Sequence, residues 1–479
     1  MMQPIHVRNP RTGEFDYAFT PPTMAELKAC ANRLRDGNQQ WNKDGLPARI
    51  AAMQQWKEAL LAQRAAVIAA LTTDTGRHLL SVIEFDSLAP TIDRWCKLAP
   101  ALLQEQEGEA TYLPSIHFCS QLVPYALVGV ISPWNFPLTL SLIDAIPALL
   151  AGCSVISKPS EITPRFVAPL QQSLAAVPAL QNVLAFVLGA GATGAALINE
   201  VDAVCFTGSV KTGRLVAESA ARNFIPAFLE LGGKDPALVT ASANVEQAAT
   251  TVLRASIVNT GQACQSLERV YVQDRIYEAF VEQLVALAEQ VTLNYPDLQH
   301  GQLGPLIFAR QAEIIREQLA DAVSKGAKIL CGGAIEQHGG GWWIRPTVIV
   351  NVNHTMQVMT EETFGPIIPV MPFATIDEAV ALANDSEYGL SASVFAGSEE
   401  EALTIARRIN AGAISINDGS LTSVMHEAEK HSFKLSGLGG SRMGAAGLLR
   451  FLRKKALLVQ TGQAAAIDRF DEALLNAAP

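Results

Sequence analysis

A chain of 479 residues is too long for one hydrophobic core and predicts two or three domains, while 49% apolar against 17% charged residues excludes a disordered chain. A net charge of −10 gives no long-range pull on a polyanion, which argues against nucleic acid or an anionic membrane as partner. The seven cysteines are odd in number and scattered, with no CxxC pair and no Cys/His cluster of metal-ligand spacing, so a reduced, cytoplasmic chain without a metal centre is expected.

The opening MMQPIHVRNPRTGEF has no apolar h-region, and 476–479 do not form a peroxisomal address. Apolar periodicity predicts helices through 22–107. A polar stretch at 104–110 precedes an alternating run at 112–123, which predicts an extended, hairpin-like element. The apolar stretch 138–157 mimics a membrane span but is interrupted by Asp144, Pro147 and Gly152, and reads as a buried helix followed by a buried strand. From Ala126, short apolar runs (LVGVIS, SVIS, NVLAFVLG, DAVCFTGS) alternate with helical segments, and a second such pattern covers about 245–420. Repeated βα units predict parallel sheets covered by helices, with ligands at the carboxyl ends of strands. The basic run Arg450, Arg453, Lys454, Lys455 reads as a solvated helix face or an oligomer contact, and the tail after Gln460 as a surface helix or a loosely held end.

Several short motifs carry chemistry. Cys264, in NTGQACQS, stands in a loop where backbone N–H groups can stabilise a thiolate. Glu230, in ELGGK, ends an apolar strand, and partial burial there is expected to raise its pKa towards that of a useful base. Asn135, held between prolines in SPWNFP, can donate its amide to a developing oxyanion. Lys158 and Glu161, in SKPSE, can hold a ribose, and the carboxylate would repel a 2′-phosphate, which favours NAD over NADP. Two glycine patterns compete for a pyrophosphate. One is Gly189-Ala190-Gly191-Ala192-Thr193-Gly194, which matches GxGxxG but lacks the acidic residue expected about twenty positions on. The other is the turn FTGS, with Gly208 and Ser209 between a strand and a helix. Glu362 and Phe364, in EETFGP, precede a further apolar strand.

Together, in this order, PWNFP, KPSE, FTGS, ELGGK, GQAC and EETFGP closely resemble the aldehyde dehydrogenase superfamily, over about residues 8–460. The resemblance implies an α/β fold with two doubly wound parallel-sheet domains and a bridging β-arm. The dinucleotide-binding domain would take 1–106 and 125–231, the catalytic domain 232–435, and the arm and tail 107–124 and 445–479. The arm would pair with a late strand around 456–460, and the chain would form homodimers or homotetramers. By the same likeness Cys264 is the nucleophile, Glu230 the base, and Asn135 with the Cys264 N–H the oxyanion hole. Lys158 and Glu161 resemble the ribose pair, Gly208 and Ser209 the pyrophosphate turn, and Gly191 the adenine side. Glu362 and Phe364 resemble the holders of the nicotinamide, with Ser132, Trp134 and Leu231 also in the cofactor site. The GxGxxG match then counts for less than FTGS.

The implied reaction is oxidation of a small-molecule aldehyde to the acid through a Cys264 thioester. Glu230 favours hydrolysis, since CoA-acylating relatives commonly lack that glutamate; a CoA-acylating enzyme and a catalytically silent homologue are the alternatives. One segment departs from the family. Where many relatives carry PFGGxKxSGxG, residues 429–437 read EKHSFKLSG, and 423–431 are unusually charged. A polar or lid-like substrate entrance or a solvated loop is expected there. The helix after Asn135 offers Phe136, Thr139, Leu140 and Ile143 and no arginine, so medium aliphatic or aromatic aldehydes are expected over carboxylate-bearing semialdehydes.

Overall fold

The computed structural model describes residues 3–473; positions 476–479, read above for a targeting address, lie outside the described residues. Helices open the chain at Met24–Ala62, Arg64–Thr75, His78–Asp86 and Leu88–Leu102. Thr23 caps the first of them in a capping box with Glu26, and Gly45 (φ 77°) bends it two residues before Pro47. Its indoles bury their apolar bodies and keep their N–H groups bonded: Trp41 donates to the Leu149 carbonyl at 2.9 Å and Trp56 to Ser173 Oγ at 3.0 Å.

Two large sheets follow. The first begins in its middle with Leu127–Ile131 and runs outward to Ser154–Lys158 and Leu184–Phe186. The chain then returns to the other side of Leu127–Ile131 with Ala203–Thr207 and Ala227–Glu230. The topological switch therefore lies between Leu127–Ile131 and Ala203–Thr207, where the carboxyl ends of diverging strands open a crevice. Every residue of Leu127–Ile131, Ser154–Lys158 and Ala203–Thr207 is buried, which is why their sequences are mostly apolar and do not alternate with polar residues. The second sheet has seven strands, with Asp235–Val239, Leu267–Gln273, Ile367–Phe373 and Ser391–Phe395 at its centre. Each sheet carries an antiparallel edge strand, Gly437–Leu438 on the first and Lys328–Cys331 on the second, so neither is purely parallel.

Glu230 ends a strand of the first sheet and Asp235 begins a strand of the second, with only residues 231–234 between them. The carboxyl edge of one sheet thus faces the amino edge of the other. Loops that follow strands in the first sheet meet loops that precede strands in the second.

The arm pairs as expected and further. Ile116–Pro124 runs antiparallel to Leu452–Gln460 in continuous register, and Glu107–Glu109 adds a third strand. The basic run is accordingly not a helix face. Arg453, Lys454 and Lys455 lie on that strand, while Arg450 is buried against Asp144. Positions 138–157 form two short helices, Pro137–Leu142 and Ala145–Ala151, before the Ser154–Lys158 strand; among the described residues no helix is long and apolar enough to cross a membrane. Beyond Gln460 the described chain has an exposed 3-10 turn, Ile467–Phe470, in place of the expected surface helix.

Candidate active site

Cys264 follows a tight reversal in which Asn259, Thr260 and Gly261 all take positive φ (55°, 58° and 72°). A Cβ on Gly261 would stand 2.2 Å from the Gly365 carbonyl carbon, and one on Gly233 would stand 2.6 Å from the Cys264 carbonyl oxygen. Those glycines let the backbones of three segments close around the half-buried thiol. The thiol is not a ready thiolate in this state. Burial, helped by Asp235, Glu362 and Glu230, pushes it up to about 12, and Lys430 is the cation that pulls it back. The sequence-based expectation of backbone stabilisation omitted these acidic neighbours, which arrive from other elements.

Asn135 is buried against the cysteine loop. Its Nδ2 donates to the Gln262 carbonyl at 3.0 Å, and its own backbone carbonyl accepts from Asn259 Nδ2 at 3.0 Å and from Arg77 at 2.5 Å. Arg77 also pairs with Glu84 Oε1 at 2.9 Å and lies over the Phe136 ring, while Glu84 Oε2 accepts from the Thr139 N–H at 3.2 Å. Gln262 is anchored in turn, donating to Asn259 and Pro305 carbonyls and accepting from the Ile307 N–H. One amide hydrogen of Asn135 is thereby held by the cysteine loop itself.

Glu230 Oε2 accepts from Ser432 Oγ at 2.8 Å and stands 3.7 Å from Lys430 Nζ. Burial alone would raise this carboxyl, but Lys430, Arg442, the Ser432 hydroxyl and Arg450 outweigh it and hold it below the usual carboxylate range. This reverses the expected upward shift, because the compensating cations come from the C-terminal part of the chain. The 423–435 segment is also not wholly a solvated entrance: it sends Lys430 and Ser432 inward.

On the first sheet's side, Lys158 is buried with its ammonium 3.6 Å from Glu161, whose side chain is 33% exposed. Gly191 opens a helix with free space where a Cβ would sit; Gly189 packs on Thr193, and Gly194 faces the Lys158 stem. The GxGxxG stretch thus does stand between a strand, Leu184–Phe186, and a helix, Gly191–Ile198. Gly208 donates its N–H to the Glu230 carbonyl, and Ser209 caps the helix Val210–Arg222. The Ser132 hydroxyl turns into the core onto Ser141 at 2.6 Å. Leu231 is buried against Gly213, its N–H bonded to the Ser436 carbonyl.

Across the crevice, Trp134 meets Phe364 edge to face at 5.4 Å and Phe308 at 6.1 Å. Glu362 Oε1 accepts from the Gly233 N–H at 3.1 Å, and burial beside Glu268 pushes its carboxyl up to about 8. Residues of PWNFP, GQAC, ELGGK and EETFGP therefore lie around one crevice.

Comparison with known proteins gives the family. The model described as "Aldehyde dehydrogenase family" matches residues 2–457. The chain belongs to the aldehyde dehydrogenase family. A Mycobacterium bovis relative named "Putative succinate-semialdehyde dehydrogenase", its name specifying NADP(+), is 33% identical over 91% of this chain and 84% of its own. The "4,4'-diapolycopene aldehyde oxidase" of a Methylomonas species is 35% identical over 94% of this chain and 84% of its own. The solved structure of "Putative Aldehyde Dehydrogenase PutA" from Anabaena variabilis is 59% identical, with a TM-score of 0.96 over 98% of this chain and 100% of that one. This aldehyde dehydrogenase thus has the α/β fold of its family, and aldehyde oxidation is the family's chemistry.

Three buried groups of the enzyme escaped the sequence reading. Arg77 stands at the N-cap of the helix His78–Asp86 and Glu84 lies on that helix, seven residues on, a spacing that could have marked a buried ion pair. Glu268 accepts from Lys234 Nζ at 2.7 Å and from the N–H groups of Thr363 and Phe364 at 2.8 Å, and so fixes the EETFGP loop against ELGGK. Its signal was a lone carboxylate at the start of an apolar strand. The donor set around Lys158 and Glu161, a buried ammonium beside a partly exposed carboxylate, suits vicinal ribose hydroxyls, and the open space at Gly191 suits a flat base.

Proposed function

We propose that this enzyme oxidises an apolar aldehyde to the carboxylic acid with NAD, through a thioester on Cys264 that is hydrolysed with Glu230 as base. The observation that carries the reading is the hydrogen bond from Asn135 Nδ2 to the Gln262 carbonyl, which ties the amide to the loop bearing Cys264. The second amide hydrogen of Asn135 is left to meet an oxyanion formed at the thiol. The Cys264 thiolate attacks the aldehyde carbonyl, and Asn135 and the Cys264 N–H balance the charge on oxygen. When bound, NAD supplies the hydride acceptor; Lys158 and Glu161 would hold its ribose, Glu362 and Phe364 its nicotinamide half, and Gly191, Gly208, Ser209, Ser132, Trp134 and Leu231 its remaining length. Glu230 then takes a proton from water as the C–S bond of the thioester breaks, releasing acid and restoring the thiolate.

Glu230 supports hydrolysis over transfer to CoA. Glu161 supports NAD, although the NADP(+) in the mycobacterial relative's name points the other way. The helix Pro137–Leu142 that follows Asn135 presents no arginine to receive a substrate carboxylate. This favours medium aliphatic or aromatic aldehydes over semialdehydes. The exposed apolar Phe118, Leu457, Leu458 and Val459 on the three-stranded ribbon support assembly into dimers or tetramers. The division into a dinucleotide-binding part (1–106, 125–231), a catalytic part (232–435) and an arm (107–124, 445–479) rests on the two sheets and the ribbon. All seven cysteines are free, which suits a reducing cytoplasm.

The test is NADH formation with an aldehyde panel, with and without CoA, for the wild type and Cys264→Ala. The variant is expected to lose turnover by several orders of magnitude. Turnover equal to wild type would sink the mechanism, and thioester product with CoA would favour the acylating alternative.

A further inference from the structure

The segment that departs from the family pattern is built into the site. Ser432 Oγ donates to Glu230 Oε2 at 2.8 Å, and Lys430 Nζ lies 3.7 Å from that oxygen and 3.3 Å from Ser432 Oγ. The Lys430 side chain is only 9% exposed, so it is drawn inward and not spread on the surface. Its place is held from both sides. Phe433–Lys434 pairs with Tyr388–Gly389, and Gly437–Leu438 pairs with Leu229 and Glu230. A Cβ on Gly412 would sit 1.7 Å from the His431 carbonyl oxygen, and one on Gly389 would sit 2.9 Å from the Phe433 Cβ. Two glycines thus let the 431–433 backbone press flush against its neighbours.

The charges facing the two reacting groups are few. Glu230 is faced by Lys430, Arg442 and Arg450. Arg442 and Arg450 both bind the buried Asp144 carboxylate, and Arg442 also donates to Thr207 Oγ1. Their charge is already partly answered. The charges that act on Cys264 are those of Asp235, Glu362 and Glu230, with Lys430 the cation among them. Lys430 pairs with no carboxylate but Glu230 among the described residues.

We propose that Lys430, seated by Ser432, is a positioning residue for both halves of the reaction: its ammonium is the counter-charge for the Cys264 thiolate and keeps Glu230 ionised on the thioester side. The inference rests on the roles of Cys264 and Glu230 proposed above. Two shifts agree with it, since Lys430 opposes the burial that pushes the thiol up to about 12 and leads the cations that pull Glu230 down. Without that ammonium both groups move up together, the thiol losing thiolate and the carboxyl taking its proton at a higher pH than before.

The test needs no knowledge of the natural aldehyde. Iodoacetamide reads the thiolate directly. p-Nitrophenyl acetate reads both steps: the thiolate forms a C–S bond to the acetyl carbon and expels p-nitrophenolate in a burst. Water, losing a proton to Glu230, then breaks that bond and releases acetate in the steady state. In the full-length protein, Lys430→Met is expected to slow alkylation at neutral pH by about tenfold, the change in charged fraction that one pKa unit brings. It should also bring the acid limb of steady-state hydrolysis up into the measurable range, and Lys430→Arg should restore most of both. Ser432→Ala is expected to slow the steady state more than the burst. Superimposable alkylation and hydrolysis profiles for Lys430→Met and wild type would overturn the proposal. Should Lys430→Met fail to fold, Ser432→Ala decides, and unchanged steady-state hydrolysis in it overturns the proposal. Ester turnover surviving in Cys264→Ala sinks the proposed function itself; its loss, alongside an unshifted Lys430→Met, sinks only the role of Lys430.

Discussion

Glu362 stands with its carboxyl on the Gly233 N–H and close to Glu268, and burial pushes it up to about 8. An unfolded carboxyl titrates near ~4.3. Between those pH values the folded protein keeps a proton that the unfolded chain has released, so the unfolded state binds fewer protons and stability falls as pH rises. Above about 8 the loss is complete. Glu362→Gln removes the titration, and its melting temperature is expected to drop less than the wild type's from pH 5 to pH 8; parallel curves would contradict the burial. Glu230 illustrates the opposite sign, its depressed pKa contributing stability above the usual carboxylate range that is lost only in acid. The residue types at both positions were legible as chemistry in ELGGK and EETFGP. The directions of their shifts were not, because each depends on charges that other elements bring in: Lys430 and Arg442 for Glu230, and Glu268 for the buried Glu362.

At the scale of elements, strands buried on both faces announced themselves as apolar runs, and the alternating run 112–123 announced the ribbon. The 423–435 segment announced only its charge. Its position depends on glycines elsewhere: with a methyl on Gly412, the His431 carbonyl must retreat. Gly412→Ala, an overpacking change of about 1–3 kcal/mol, is therefore expected to carry Lys430 and Ser432 away from Glu230. Iodoacetamide labelling of Cys264 and steady-state ester hydrolysis should both fall, by about tenfold. Wild-type values for both in a folded Gly412→Ala protein would show that the segment reaches Glu230 without that close contact.

Across the whole molecule, the crevice between the carboxyl edge of one sheet and the amino edge of the other is the surface along which the proposed coenzyme would lie. A ligand that spans it stabilises the folded state by mass action, by about 2.7 kcal/mol at a hundredfold excess over Kd. NAD at such excess is expected to raise the melting temperature by several degrees, and NADP at the same concentration by less, with Glu161→Gln narrowing the gap. Equal shifts for the two coenzymes in the wild type would remove the case for NAD. The amino-acid sequence by itself determined the fold class, the family and the residue types at the site, because buried parallel strands and short rigid turns are encoded locally. Only the tertiary structure decided the charge state of that site. It brought Arg77 and Glu84 behind Asn135, Glu268 beneath the EETFGP loop, and Lys430 beside Glu230, where its charge also reaches Cys264. The physical reason is range: packing patterns repeat within a few residues, whereas the field at a buried thiol or carboxyl sums charges that only the folded chain brings within reach.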